Sequence, residues 1–140
     1  MNQEILAQTL LVIQAERIHG GFNTSSAWVD RLVADAGEEQ LAERLDAAIG
    51  DTWPWEVVAD LFGLLTWQTT DNGAALSDTT DDWLREGTNL RRIQIALHGE
   101  AYPFHDRAEM VQVLEGIAQH FPEVADRCEE LITSRNRMKD

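Results

Sequence analysis

One lysine and one cysteine occur in the 140 residues, and each scarcity excludes something. A lone Cys128 cannot form an intramolecular disulfide, which suits a reducing, cytoplasmic setting. Lys139 is the only lysine, and the ten arginines are scattered apart from a loose group at Arg135, Arg137 and Lys139. A phosphate-binding surface needs clustered cations, so direct nucleic-acid binding and attachment to an anionic membrane are both disfavoured. No apolar run reaches the roughly 18 residues that span a bilayer. Met1 to Leu11 lacks the basic start and small-residue cleavage site of a signal peptide. No stretch alternates with period two between turn signals, and no segment repeats at a fixed interval. No catalytic or cofactor motif stands out.

What is present is acidity and tryptophan. The formal net charge is −14, and all five tryptophans fall between Trp28 and Trp83. From Asp51 to Leu90 eight acids face one base, Arg85, a local balance of −7. The hydrophobic content of 44% is enough for a core without a metal or disulfide. The length is that of a single domain, residues 1–140.

The apolar spacing is helical nearly throughout. Ile5, Leu6, Thr9, Leu10 and Ile13 share one face of a first helix that Gly20-Gly21 ends. Ser25 or Ser26 is the expected N-cap of a second, which carries Trp28, Val29, Leu32 and Val33 and stops at Gly37. A third is expected over Glu38 to Ile49, with Glu38 and Glu39 at the positive end of its dipole. Asp51-Thr52-Trp53-Pro54 announces a fourth, from about Pro54 to Gln68, burying Trp55, Val58, Leu61, Phe62 and Leu65.

Thr69 to Ser77 reads as the main loop. A fifth helical region, Thr79 to His98, is broken at Gly87-Thr88-Asn89 with Thr88 or Asn89 recapping it. Ala101 to Phe104 is an extended connector, and Asp106 with Glu109 has capping-box spacing before a helix running to about His120. Pro122 opens the last helix, with Val124, Cys128, Leu131 and Ile132 in register, and 136–140 is an expected frayed tail. The fold expected is all-α, an irregular bundle of six or seven short, mostly antiparallel helices.

Several residues bear on chemistry. Glu16 and His19 make one Glu-x-x-His, half of a di-iron set, but no second copy exists. His19, His98 and His120 lie near helix ends, where a cation is favoured, and His105 is the fourth histidine. None stands at zinc-ligand spacing with Cys128, which belongs to an inward stripe. No metal or other cofactor is therefore expected. Glu56 and Asp60 are like charges four residues apart, mildly unfavourable unless something offsets them. Asp78, Asp81 and Asp82 lack the alternation and central glycine of a calcium loop and are expected to cap the following helix.

Trp53 and Trp55 flank Pro54 and cannot face the same way, which places Trp53 at or near the surface. Trp28, Trp55 and Trp83 fit apolar stripes. These features point to a small acidic protein that binds and neutralises a basic partner, an immunity protein against a toxin being the type. The contact set expected is Trp53, Glu56, Asp60, Trp67, Asp71, Asp78, Asp81 and Asp82. The alternatives are a nucleic-acid mimic that inhibits a defence protein, an adaptor subunit, and a metal-dependent enzyme using Glu16, His19, Glu56 and Asp60.

Overall fold

In the computed structural model, which describes residues 1–99 and 101–138, Leu6, Thr9, Leu10 and Ile13 are the buried residues of α1 (Gln3–His19). The rest follows as α2 (Asn23–Ala36), α3 (Leu41–Ile49), α4 (Trp55–Gln68), α5 (Ala74–Glu86), α6 (Leu90–Leu97), α7 (Arg107–His120), a 3-10 turn (Pro122–Val124) and α8 (Ala125–Arg137). Among the described residues there is no strand and there are eight α-helices, more than the six or seven expected. The break expected in the fifth region is present, and its two halves count as separate helices. Gly87, at φ +60°, ends α5, and the Asn89 side chain accepts from the Arg92 amide at 3.1 Å to start α6 afresh.

The chain divides into two compact units, Met1–Thr79 and Thr80–Asp140, with the division falling inside α5. In the first unit α1 and α2 form an antiparallel hairpin, and α4 packs on both. The Asn2 amide donates to Asp35 at one end of the pair. At the other end the Glu16 carboxylate accepts from the amides of Thr24 and Ser25 and from the Ser25 hydroxyl.

That arrangement corrects the expected start of α2. The helix begins at Asn23, so Ser25 lies in its first turn rather than at its cap, and the cap position is Phe22, whose side chain accepts nothing. Glu16, reaching across from α1, satisfies the orphan donors instead. These hydrogen bonds, the one from the Ser25 hydroxyl first, hold the Glu16 carboxyl below the ordinary glutamate value. Because the folded carboxyl is the stronger acid, its contribution is complete above the ordinary range and is lost as pH falls through the lowered value. Glu16→Gln is expected to lower Tm at pH 7 and to flatten the acid side of the Tm–pH curve, checked by thermal melts at pH 7 and pH 3. An unchanged acid limb would remove Glu16 from this role.

α3 starts at Leu41, not Glu38, because Gln40 takes a left-handed conformation at φ 48°. Glu38 accepts instead from the backbone and hydroxyl of Thr70, at 2.8 and 3.0 Å. Arg44 turns back to donate to the carbonyls of Ala36, Gly37 and Glu39, closing the C-terminal end of α2. The buried side of α3 is Leu41, Ala42, Leu45 and Ile49.

The second unit has its own core: Leu84, Ile93, Leu97, Phe104, Met110, Leu114, Ile117, Val124, Cys128 and Leu131. Each fully buried aliphatic side chain of this kind contributes roughly 1.5–3 kcal/mol. Asp106 caps α7 by accepting from the Glu109 amide at 3.1 Å, as the spacing predicts. Glu109 itself does not reach back and pairs with Arg85 at 3.2 Å. Phe104 is held at φ +64°, unusual for a bulky residue, by contacts on three sides. Arg85 lies over its ring, Asp81 accepts from its amide and Arg135 donates to its carbonyl. Asn136 and Arg137 belong to α8 rather than to a frayed tail, while Lys139 and Asp140 lie outside the described residues.

Candidate functional site

α4 carries the arrangement that looks outward. Pro54 occupies the cap position rather than the first turn, its backbone extended at ψ 141° and its carbonyl accepting from Val57 at 3.1 Å. Val57, Val58, Ala59, Leu61, Phe62 and Leu65 form the buried side. On the opposite side Glu56, Asp60, Gly63 and Trp67 recur at spacings of four, three and four. At 3.6 residues per turn that sequence stays within an arc of about 60°.

The stripe changes character along its length. Glu56 is half-buried. The Asp60 side chain is 12% exposed and is paired with the Arg17 guanidinium from α1, which offsets the like charge four residues earlier. Gly63 is exposed, and a Cβ added to it would meet nothing within 4 Å. Trp67 ends the stripe with 78% of its surface exposed.

The turn after Trp67 is short and tied down. Helix resumes at Ala74, so the expected loop out to Ser77 is only the turn 69–73. Gly73, at φ +79°, donates to the Thr69 hydroxyl, and a Cβ there would lie 3.1 Å from Thr66. Asp71 accepts from the amides of Ala75 and Gly73, both at 3.0 Å, and so caps α5. Those bonds, Ala75 first, hold its carboxyl below the ordinary aspartate value. Asp78, Asp81 and Asp82, expected to cap this helix, lie within it because it starts earlier.

The expected contact residues therefore do not make one cluster. Glu56, Asp60 and Trp67 share the α4 stripe, and Asp71 sits in the turn just beyond it. Trp53 is half-buried and precedes α4, whereas Trp67 lies in the last turn of that helix. Asp78 is exposed on the first-unit part of α5. Asp81 and Asp82 belong to the second unit, where Asp81 bonds to Phe104 and Asp82 pairs with Arg85 at 2.8 Å. Of the other tryptophans Trp83 is buried, whereas Trp28 and Trp55, expected in the core, are half-buried.

Charge is divided unevenly. Residues 1–79 hold thirteen acids and three arginines with no lysine, a balance of −10 out of −14. All three arginines are engaged within the unit. Arg17 pairs with Asp60, Arg44 holds backbone carbonyls and Arg31 lies 4.4 Å over the Trp28 ring. The unit carries a large excess of acid, and its three arginines make contacts within it, although Arg17 and Arg31 remain exposed.

The residues with metal or nucleophile potential have other roles. Glu16 caps α2, and His19 is exposed at the end of α1. Among the described residues no three His, Cys, Asp or Glu side chains converge as a metal would need. Cys128 lies within the second core, and burial pushes its thiol up to about 11. Gly63 is the feature of the stripe that spacing alone did not single out, although a glycine within a strong helical run was its signal. The chain matches no family model, no curated protein and no solved structure.

Proposed function

We propose that this chain is a small acidic binding protein that inhibits or neutralises a basic protein partner, as an immunity protein does a toxin, with the outer stripe of α4 at the centre of contact. The observation that carries this reading is Trp67, 78% exposed on a helix anchored by its opposite side. Tryptophan is the side chain most enriched at binding hot spots, because a rigid ring buries a large area at low entropic cost. A helix already held by its core loses little freedom when a partner docks.

The balance of −10 over residues 1–79 supports the choice of partner. Such a field accelerates encounter with a basic surface and repels acidic ones. A cationic cleft built for nucleic acid or nucleotides is one that an acidic helical face can occlude.

The test is affinity capture from lysate of the source organism, read by mass spectrometry, with the wild-type chain and Trp67→Ala as parallel baits. A basic protein retained by the wild type at low salt, released at high salt and depleted from Trp67→Ala is the expected result. If no basic protein depends on both salt and Trp67, the reading fails.

A further inference from the structure

We propose that the outward side of α1 is a self-complementary surface on which a second copy of this chain docks, the two helices running antiparallel about a two-fold axis at Leu11. Leu11 and Ile18 are large apolar side chains left 49% and 78% exposed. Seven residues make nearly two full turns, so the two lie on one line along the helix. Ala7 and Ala15, both exposed, fall within about 40° of that line, and Gln8 and Gln14 within about 60°. The flanks are already taken. Arg17 pairs with Asp60 of α4 on one side, and Glu16 bonds to the start of α2 on the other. Between them runs a stripe that carries no charge from Ile5 to Ala15.

The order of residues in the stripe points to its occupant. Counted from Leu11, an alanine stands four residues away in both directions and a glutamine three residues away in both directions. A two-fold interface sets the same patch of each copy against itself. With antiparallel helices crossing at Leu11, that residue meets its own mate, Ala7 faces Ala15 and Gln8 faces Gln14. The alanines let the axes approach to about 8 Å, the near end of the range for packed helices. The glutamines each bring a donor and an acceptor to the margin.

The ends of the stripe match as well. Glu4 and His19, both exposed, stand about 10 and 12 Å of helix rise to either side of Leu11. Antiparallel docking sets each carboxylate beside the other copy's imidazole, whose N–H donates to it. Parallel docking would set Glu4 against Glu4 and align the two helix dipoles. The charge of the chain singles out this face too. At −14, two copies repel over most of their surface, and an uncharged stripe is where they meet without placing acid on acid. The stripe is about 21 Å long and smaller than the roughly 800 Å² per partner of a standard interface, which sets Kd on the order of tens of micromolar.

Sedimentation equilibrium of the full chain from about 5 to about 500 µM tests this, at about 50 and about 500 mM salt. The wild type is expected to pass from the 15.8 kDa monomer to a dimer, and to do so at lower concentration in high salt, where repulsion between the copies is screened. Leu11→Lys places two cations against each other on the axis and should raise Kd about tenfold or more, although it makes the chain less negative. Ile18→Lys, at a still more exposed position, reads the same stripe should Leu11→Lys fail to fold. Ala47→Lys makes the same charge change at an exposed position of α3 and should leave Kd unchanged. On mild oxidation Leu11→Cys should cross-link to itself, and Ala7→Cys to Ala15→Cys but not to itself, while buried Cys128 stays out of the reaction. A chain that is monomeric at every concentration overturns the proposal. So does a dimer that survives the lysine variants of α1, one that Ala47→Lys weakens equally, or a cross-link of Ala7→Cys to itself.

Discussion

Leu61→Ala is expected to lower the free energy of unfolding by about 2–5 kcal/mol, a large share of the 5–15 kcal/mol typical of a domain. Leu61 is completely buried on the side of α4 opposite the outward stripe. Truncating it removes transfer free energy and leaves a cavity among residues that relax only in part, since α4 packs against both α1 and α2. Urea denaturation followed by circular dichroism checks this, with the midpoint falling and the slope unchanged. The same change at half-buried Leu64 is the internal comparison and should cost less. A loss below about 1 kcal/mol for Leu61→Ala would mean that this side of α4 is not core.

Trp67→Ala should show the reverse pattern. With 78% of its surface exposed, the side chain contributes little to folding, and its removal should shift stability by no more than about 0.5 kcal/mol. Its effect on affinity for the captured partner should be large. A tryptophan at a hot spot is worth 2 kcal/mol or more, about a thirtyfold rise in Kd, expressed mainly as faster dissociation. Glu56→Lys is the complementary variant and should slow association and weaken the salt dependence. Asp60 is the wrong place for a charge reversal, because a lysine there would face the Arg17 guanidinium and disturb the α1–α4 pairing. Surface plasmon resonance separates the two rates. Wild-type kinetics in both variants would take α4 out of the interface.

Much of the helical architecture can be read along the chain, because the forces that start and stop a helix act over one turn. The stripe Leu6, Thr9, Leu10 and Ile13 announces α1, and Gly37 and Gly87 stop their helices through positive φ. Asn89 and Asp106 cap α6 and α7 through side chains bonded three residues ahead. The boundaries that differ are those set from elsewhere in the chain. α2 starts two residues before Ser25 because Glu16, nine positions earlier, supplies the acceptors that a local cap would have supplied. α5 starts before Thr79 because Asp71 and Gly73 close the turn beneath Thr66. α3 starts late because Glu38 is drawn to Thr70 and Arg44 occupies the carbonyls ahead of it.

The acidic side chains divide along the same line. That this chain is strongly negative, all-helical and poor in lysine is settled by composition and period, which need no partner in space. Whether a given carboxylate is a cap, half of an ion pair or an exposed charge is not. Glu16 and Asp71 take the first role, Asp60 and Asp82 the second, and nothing in their local sequence separates them from exposed Asp78. Hydrogen bonds and ion pairs act over about 3 Å of space and are indifferent to distance along the chain. Only the tertiary structure therefore decided that Glu56, Asp60, Gly63 and Trp67 form one outward stripe, since it alone shows which side of α4 the core of α1 and α2 takes.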